Sequence, residues 1–274
     1  MKNYYSYNPV KFIFGKGMIS NITNEVKPYK KILLIYGENS IKKNGCYQQL
    51  KKVLKDKKIF EFAGVTPNPE LDQACSAINF AKSKKIEFMI AAGGGSVIDF
   101  TKFISLAFFS KHKDYWKLMS FKTKSPKKFL PFGCVQTCPG SGTESNNALV
   151  LSNKKLKKKD TFYNLNLYPK FSVLDPQLTF NLPIHQTCIG IADMLIHVLE
   201  QYLTYPVGNT LQDRQAEALI MTIFDCTPKL LKEPKKYEFR ATIMWCSASA
   251  VNGLINRGMP VDWSTHYIGN ILTI

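Results

Sequence analysis

The sequence predicts an α/β domain built on a parallel sheet, followed by an all-α helical domain, and three observations carry the prediction. Short apolar runs alternate with amphipathic stretches from residue 30 onward. One run opens into three consecutive glycines, Gly93, Gly94 and Gly95, and the pattern turns helical after the pairs Asp175-Pro176 and Leu182-Pro183. With 274 residues, 45% of them hydrophobic, the chain can bury two cores. The boundary falls near residue 180, dividing an α/β domain over 1–180 from a helical domain over 181–274.

Each element has its own signal. The run KKILLIYG at 30–37 is β-rich and apolar and ends in glycine, so it reads as a strand, and the amphipathic stretch 44–57 reads as a helix. Residues 59–62 continue as a strand, 71–84 as a helix and 86–92 as a buried strand. A helix over 97–109 follows the glycines, then an irregular lysine-dense segment to residue 130, a strand at 131–137, and a loop or hairpin over the sheet at 152–170. Beyond residue 183 the spacing is helical, most clearly at 189–203, with a further stretch at 261–269 that can also be helical.

Bulk composition excludes several classes. No apolar run approaches membrane-spanning length and the first residues lack a secretion signal, so a cytoplasmic protein without membrane association is expected. The seven cysteines are scattered without a C-x-x-C pair, which indicates reduced thiols, with Cys134 and Cys138 serving in packing. The net charge of +17 raises nucleic acid as a partner, but the 37 basic residues include only three arginines, Arg214, Arg240 and Arg257. Base readout and bidentate phosphate contact favour arginine, so no nucleic-acid partner is expected.

Two local patterns carry chemistry. At 91–102 (AAGGGSVIDFTK) a buried strand delivers three glycines, then Ser96 and Asp99 in the spacing of a capping box. Glycines admit a ligand close to backbone N–H groups and the helix start adds positive potential, so the segment reads as a pyrophosphate cradle, or else as a tight strand–helix turn without ligand. It is not the G-x-G-x-x-G fingerprint. A second small-residue turn at 137–146 (TCPGSGTESN) could line the same channel.

The other pattern is Asp193 and His197, four apart on one helix face, with His266 on a second helical stretch. Two imidazoles and a carboxylate with open positions suit Fe(II) or Zn(II); the alternative is a solvated aspartate and a core histidine. A dinucleotide cradle in one domain and a metal at the head of the next make a pair suited to hydride transfer.

Taken together, the chain resembles the iron-containing alcohol dehydrogenase family, within it the butanol dehydrogenase and broad aldehyde reductase branch. The resemblance rests on FGKGM at 14–18, LIYGENSI at 34–41, PNP at 67–69, GGGSVID at 93–99, PGSGTESN at 139–146 and LDP at 174–176. It continues through GIAD at 190–193 with His197, QDR at 212–214, NGL at 252–254 and DWSTH at 262–266.

The resemblance implies a dehydroquinate synthase-like architecture, an N-terminal dinucleotide-binding domain, a helical metal-binding domain and a homodimer. It implies interconversion of small primary alcohols and aldehydes with NAD or NADP and Fe2+, Zn2+ being possible. By the same resemblance Asp193, His197 and His266 fall on metal-ligand positions. Gly93, Gly94, Gly95, Ser96 and Asp99 fall on the pyrophosphate and nicotinamide region, Thr137 and Ser141 on the adjoining strip, and Lys159 where a lysine can reach the nicotinamide ribose.

Two departures qualify these expectations. Asn270 stands where the family has a histidine suited to proton relay, and an amide cannot shuttle a proton near neutral pH. A fourth ligand histidine and a further helical segment would follow Ile274, so the sequence reads as a C-terminally truncated, incomplete helical domain, the alternative being an impaired relic that keeps nucleotide binding only. For the cofactor, the turn Gly37-Glu38-Asn39-Ser40 precedes Lys42 and Lys43; Glu38 suits NAD, whereas Ser40 and the lysines suit NADP, which is favoured.

Overall fold

The structure, a computed structural model, describes residues 2–274. Its first part runs β1 (Lys11–Phe14), α1 (Thr23–Val26), β2 (Lys31–Tyr36), α2 (Ser40–Lys43), α3 (Cys46–Val53), β3 (Lys58–Phe62), α4 (Leu71–Lys84), β4 (Phe88–Gly94) and α5 (Gly95–Ala107). After an irregular segment come β5 (Phe132–Cys138), β6 (Ala148–Asn153), β7 (Lys158–Tyr163) and β8 (Phe171–Leu174). The helices α6 (Ile184–Tyr202), α7 (Thr210–Lys232), α8 (Tyr237–Ala250) and α9 (Ser264–Leu272) complete it.

Six strands form one parallel sheet in the order β1-β8-β5-β4-β2-β3, and β6 and β7 pair as a separate antiparallel hairpin. Period-2 geometry explains why β2 is apolar throughout. Leu33 and Ile35 pack on one face with Ile78 of α4 and Phe100 and Ile104 of α5, while Ile32 and Leu34 pack on the other with Ile41 of α2 and Leu50 of α3.

From β2 the chain moves outward to β3, then returns past β2 to β4 and on to β5. The strand order therefore reverses between β2 and β4, and in open α/β sheets ligands lie at the carboxyl ends of the strands at such a point.

The helical part has its own core, in which Ile191, Met194 and Val198 of α6 meet Ile223 and Leu230 of α7 and Ile243 of α8. That apolar stripe leaves Gly190, Asp193, His197 and Glu200 on an adjacent stripe of α6. The sheet and the helices are joined at its β1 edge, where Phe12 and Phe14 pack edge-on against Trp245 of α8. Among the described residues no helix is long and apolar enough to cross a membrane.

Several expectations need correction. The helix expected at 44–57 is shorter, because Asn44 Oδ1 accepts the Cys46 N–H and Gly45 takes a left-handed φ of 82°, breaking α2 from α3. The segment expected to be loop or hairpin at 152–170 is a hairpin beginning at Ala148, and β1 and β8 are strands that carried no sequence reading.

Candidate metal centre and cofactor cleft

The β2–α2 turn and the β4–α5 turn meet at the switch point. Glu38, Asn39 and Ser40 are exposed there, and so are Lys42 and Lys43. The Lys42 ammonium lies 5.8 Å from the Tyr36 ring and 5.7 Å from the Tyr47 ring, held over two aromatic faces beside Ser40.

The expected capping box does not form. The α5 helix begins at Gly95 with Gly94 as its N-cap, and no side chain caps it. Asp99 is drawn sideways instead, its carboxylate accepting the Thr143 hydroxyl at 2.6 Å and the Val150 N–H at 3.3 Å. The N–H groups at the start of α5 are thereby left for a ligand.

Close approach explains why glycine occupies this turn. A methyl group on Gly95 would stand 2.4 Å from Ser141 Oγ, so the second small-residue turn sits directly on the first. Ser141 Oγ is itself buried without a hydrogen-bond partner, an unsatisfied group that fits a ligand oxygen in the cleft. Thr137, the penultimate residue of β5, is also buried.

The second turn also touches α6. A methyl group on Gly140 would lie 2.8 Å from the Gly190 Cα and 3.5 Å from Asp193 Oδ2. The glycine turn of the sheet and the acidic residue of the helical part are thus separated by one layer of small side chains.

Asp193, His197 and His266 offer ligand atoms that all lie within 4.8 Å of one another. His197 Nδ1 stands 3.6 Å from the Asp193 carboxylate, His266 Nε2 3.5 Å from it, and the two imidazole rings are 4.1 Å apart between centroids. Burial alone would raise the Asp193 pKa, but the hydrogen bond from His266 and the positive charges of His197, His266 and Lys159 hold it below the ordinary carboxylate range. Burial pushes the His197 pKa down, which favours the neutral, ligating imidazole.

His197 Nδ1 lies 2.8 Å from the Asp193 backbone carbonyl, which can only accept, so Nδ1 carries the proton and Nε2 is free to ligate. One carboxylate, two imidazoles and a half-exposed opening fit a divalent transition-metal ion with positions left for water or substrate.

Lys159 lies on β7, its Nζ bonding Asn68 Oδ1 at 2.8 Å and Thr273 Oγ1 at 2.9 Å. Burial lowers its pKa while Asp99 and Asp193 oppose the shift, which puts its ammonium within the field of both carboxylates. Asn270 follows His266 by one turn of α9, on the same helix face.

Three contributors were missed in the sequence. Lys102 is fully buried, its ammonium within 3.1 Å of the carbonyls of Thr143, Asn146 and Ala148 and of the side-chain oxygens of Thr143 and Asn146. Burial pushes the Asp99 carboxyl up and the Lys102 ammonium down, against their mutual attraction. Gly140 makes the close contact already described. Glu200, 8% exposed, receives the N–H groups of Thr265 and His266 at 2.6 and 3.2 Å on Oε1, and His266 Nδ1 on Oε2. A helical-wheel reading finds it, since Asp193, His197 and Glu200 are spaced i, i+4, i+7.

Comparison with known proteins matches residues 9–176 to a family model described as iron-containing alcohol dehydrogenase, and 187–272 to one described as the C-terminal part of the Fe-containing alcohol dehydrogenase family. The chain is 39% identical over 274 residues to the NADPH-dependent aldehyde reductase YqhD of Escherichia coli, covering 100% of this chain and 71% of that protein. It is 40% identical over 272 residues to a probable NADH-dependent butanol dehydrogenase of Bacillus subtilis, covering 98% of this chain and 70% of the relative. The crystal structure of NADH-dependent butanol dehydrogenase A from Thermotoga maritima superposes with a TM-score of 0.94 at 36% identity, over 100% of this chain and 69% of that one.

Proposed function

The chain belongs to the iron-containing alcohol dehydrogenase family, and on that premise we propose that it interconverts small primary alcohols and aldehydes with a nicotinamide dinucleotide and a divalent metal, Fe2+ or Zn2+. The observation that carries the reading is the contact of Gly140 with both Gly190 and Asp193, while its neighbour Ser141 sits on Gly95. The start of α5 would hold the dinucleotide, and the strip from Ser141 to Gly140 joins that turn to the ligand cluster.

In this reading Asp193, His197 and His266 hold the metal ion. When bound, the ion supplies Lewis-acid polarisation of the substrate oxygen and the nicotinamide supplies the hydride. The residues of the chain do the positioning. Gly93, Gly94, Gly95 and Ser96 present backbone N–H groups to the pyrophosphate at the start of α5, and Thr137 and Ser141 line the strip toward the nicotinamide. Lys159 reaches the nicotinamide ribose, and Asp99 fixes the cleft wall through Thr143 and Val150. The Asn270 amide can orient a neighbour by hydrogen bonding but carries no proton that titrates near neutral pH.

Relatives use NADPH in one case and NADH in another. For this chain Gly37, Ser40 and the exposed Lys42 and Lys43 support NADP, since two ammonium groups beside a hydroxyl suit a 2′-phosphate, whereas Glu38 alone would favour NAD. The family supports a homodimer, and a cytoplasmic location completes the reading.

The test measures bound iron and zinc together with NADPH-driven butanal reduction, before and after His197→Ala. Loss of both is expected; metal content unchanged by the substitution refutes the assignment.

A further inference from the structure

We infer that Glu200 is the positioning residue of the metal centre: one carboxylate oxygen docks α9 onto α6 and the other fixes the tautomer of His266. The inference rests on the metal reading above and names the device that brings His266, from a helix distant in sequence, to the pair on α6.

Glu200 is almost fully buried, and a buried carboxylate is costly unless its lone pairs are taken. Here they are taken by one short segment. Oε1 receives the N–H of Thr265 and that of His266, the second and third residues of α9, while Asp262 Oδ1 accepts the N–H of the first, Ser264, at 2.9 Å. A negative charge at the start of a helix is also favoured by the helix dipole. The connection is reinforced where the Asp262 N–H donates to the Glu200 carbonyl at 2.9 Å.

Oε2 faces His266 Nδ1. A carboxylate accepts and does not donate, so Nδ1 carries a proton in either form of the ring, and Nε2, 3.5 Å from the Asp193 carboxylate, is the nitrogen left to ligate a metal ion once its own proton is given up. His197 has the same tautomer fixed by a main-chain carbonyl of its own helix. Each ligand histidine thus has a dedicated acceptor behind it, and for His266 that acceptor is charged and sits one turn beyond His197 on α6. Such outer acceptors orient a ligating imidazole and raise its basicity.

Glu200→Gln separates docking from tautomer control. The carboxamide oxygen can still accept the two N–H groups, but its NH2 would face His266 Nδ1 as a donor and drive the proton onto Nε2, the nitrogen needed for the metal. Zn2+ affinity is measured on the metal-stripped full chain by competition with a chromophoric chelator, beside circular dichroism of the same samples. Glu200→Gln is expected to keep the helical signal and to weaken Zn2+ binding by about 10–100-fold. Zn2+ affinity within twofold of wild type in Glu200→Gln, with His197→Ala strongly impaired, overturns the role of Glu200 while leaving the metal reading intact. Zn2+ binding indifferent to His197→Ala removes the metal reading and this inference with it. If Glu200→Gln fails to fold, 15N NMR of the wild-type histidines at alkaline pH decides: His266 protonated at Nδ1 supports the inference, and protonated at Nε2 overturns it.

Discussion

Gly190 on α6 lies so close beneath Pro139 that a methyl group added to it would stand 2.2 Å from the Pro139 carbonyl oxygen. The obstacle is main chain on both sides, so no rotamer change relieves it. Gly190→Ala is expected to push the 139–142 turn away from Asp193, destabilising the fold by about 1–3 kcal/mol and weakening Zn2+ binding. Gly269→Ala is the control, because nothing stands within 4 Å of a methyl group there. Urea denaturation and Zn2+ titration of the two variants check the contrast; equal behaviour contradicts the packing account.

Lys102 holds together the segment that walls the cleft. Lys102→Met removes the donor and leaves the main-chain carbonyls of Thr143, Asn146 and Ala148 without their cation. Leaving buried acceptors without their donor costs about 1–3 kcal/mol, which urea denaturation reads directly. A loss below about 1 kcal/mol in the same measurement means that water replaces the ammonium without difficulty.

Discrimination between the two dinucleotides is expected to rest on exposed charge beside Ser40. Lys42→Ala removes one ammonium from the turn, and an exposed pairing of this kind is worth up to about 1 kcal/mol, or roughly fivefold. KM for NADPH should rise by that factor while KM for NADH stays constant, with the gap closing at high salt. Equal rises for the two cofactors assign Lys42 to packing on Tyr36 and Tyr47.

Thiol chemistry separates the seven cysteines. Burial pushes the Cys46 thiol up to about 12, Cys246 up to about 11, and Cys134 higher still, whereas Cys188 is exposed. The thiolate is the nucleophile, and a raised pKa leaves little of it at pH 8, so labelling there should mark Cys188 first. Mass spectrometry of the labelled peptides reads the order, and early labelling of Cys134 contradicts the packing of β5.

Long apolar strands and helical spacing were the legible parts of the chain. β2 and β4 are continuous hydrophobic runs because helices cover both faces of the sheet, and the glycines after β4 stand out against them. Asp193 and His197 follow from helical arithmetic, and the structure brings them together with His266.

The short edge and junction pieces were not legible. β1 and β8 are four residues each, too few for alternation to rise above chance, and their strand character comes from pairing with each other and with β5. Ser96 and Asp99 have capping spacing, but Thr143 and Val150 compete successfully for the carboxylate. Helical spacing puts Glu200 on the stripe of Asp193 and His197, but its role was not legible because its partners, Thr265 and His266, arrive from a helix that sequence alone does not place beside it.

The pairing of Lys11 with Phe171 sets an order of events for the nascent chain. Its first strand has no place to go until the last strand of the sheet has been synthesised, so Phe12 and Phe14 stay exposed through most of translation. Once β8 forms, the same strand presents those rings to Trp245, and completion of the sheet and capture of the helical bundle become one cooperative step. Folding governed by so distant a contact is slow, and the waiting aromatic segment is where a chaperone would have most to shield.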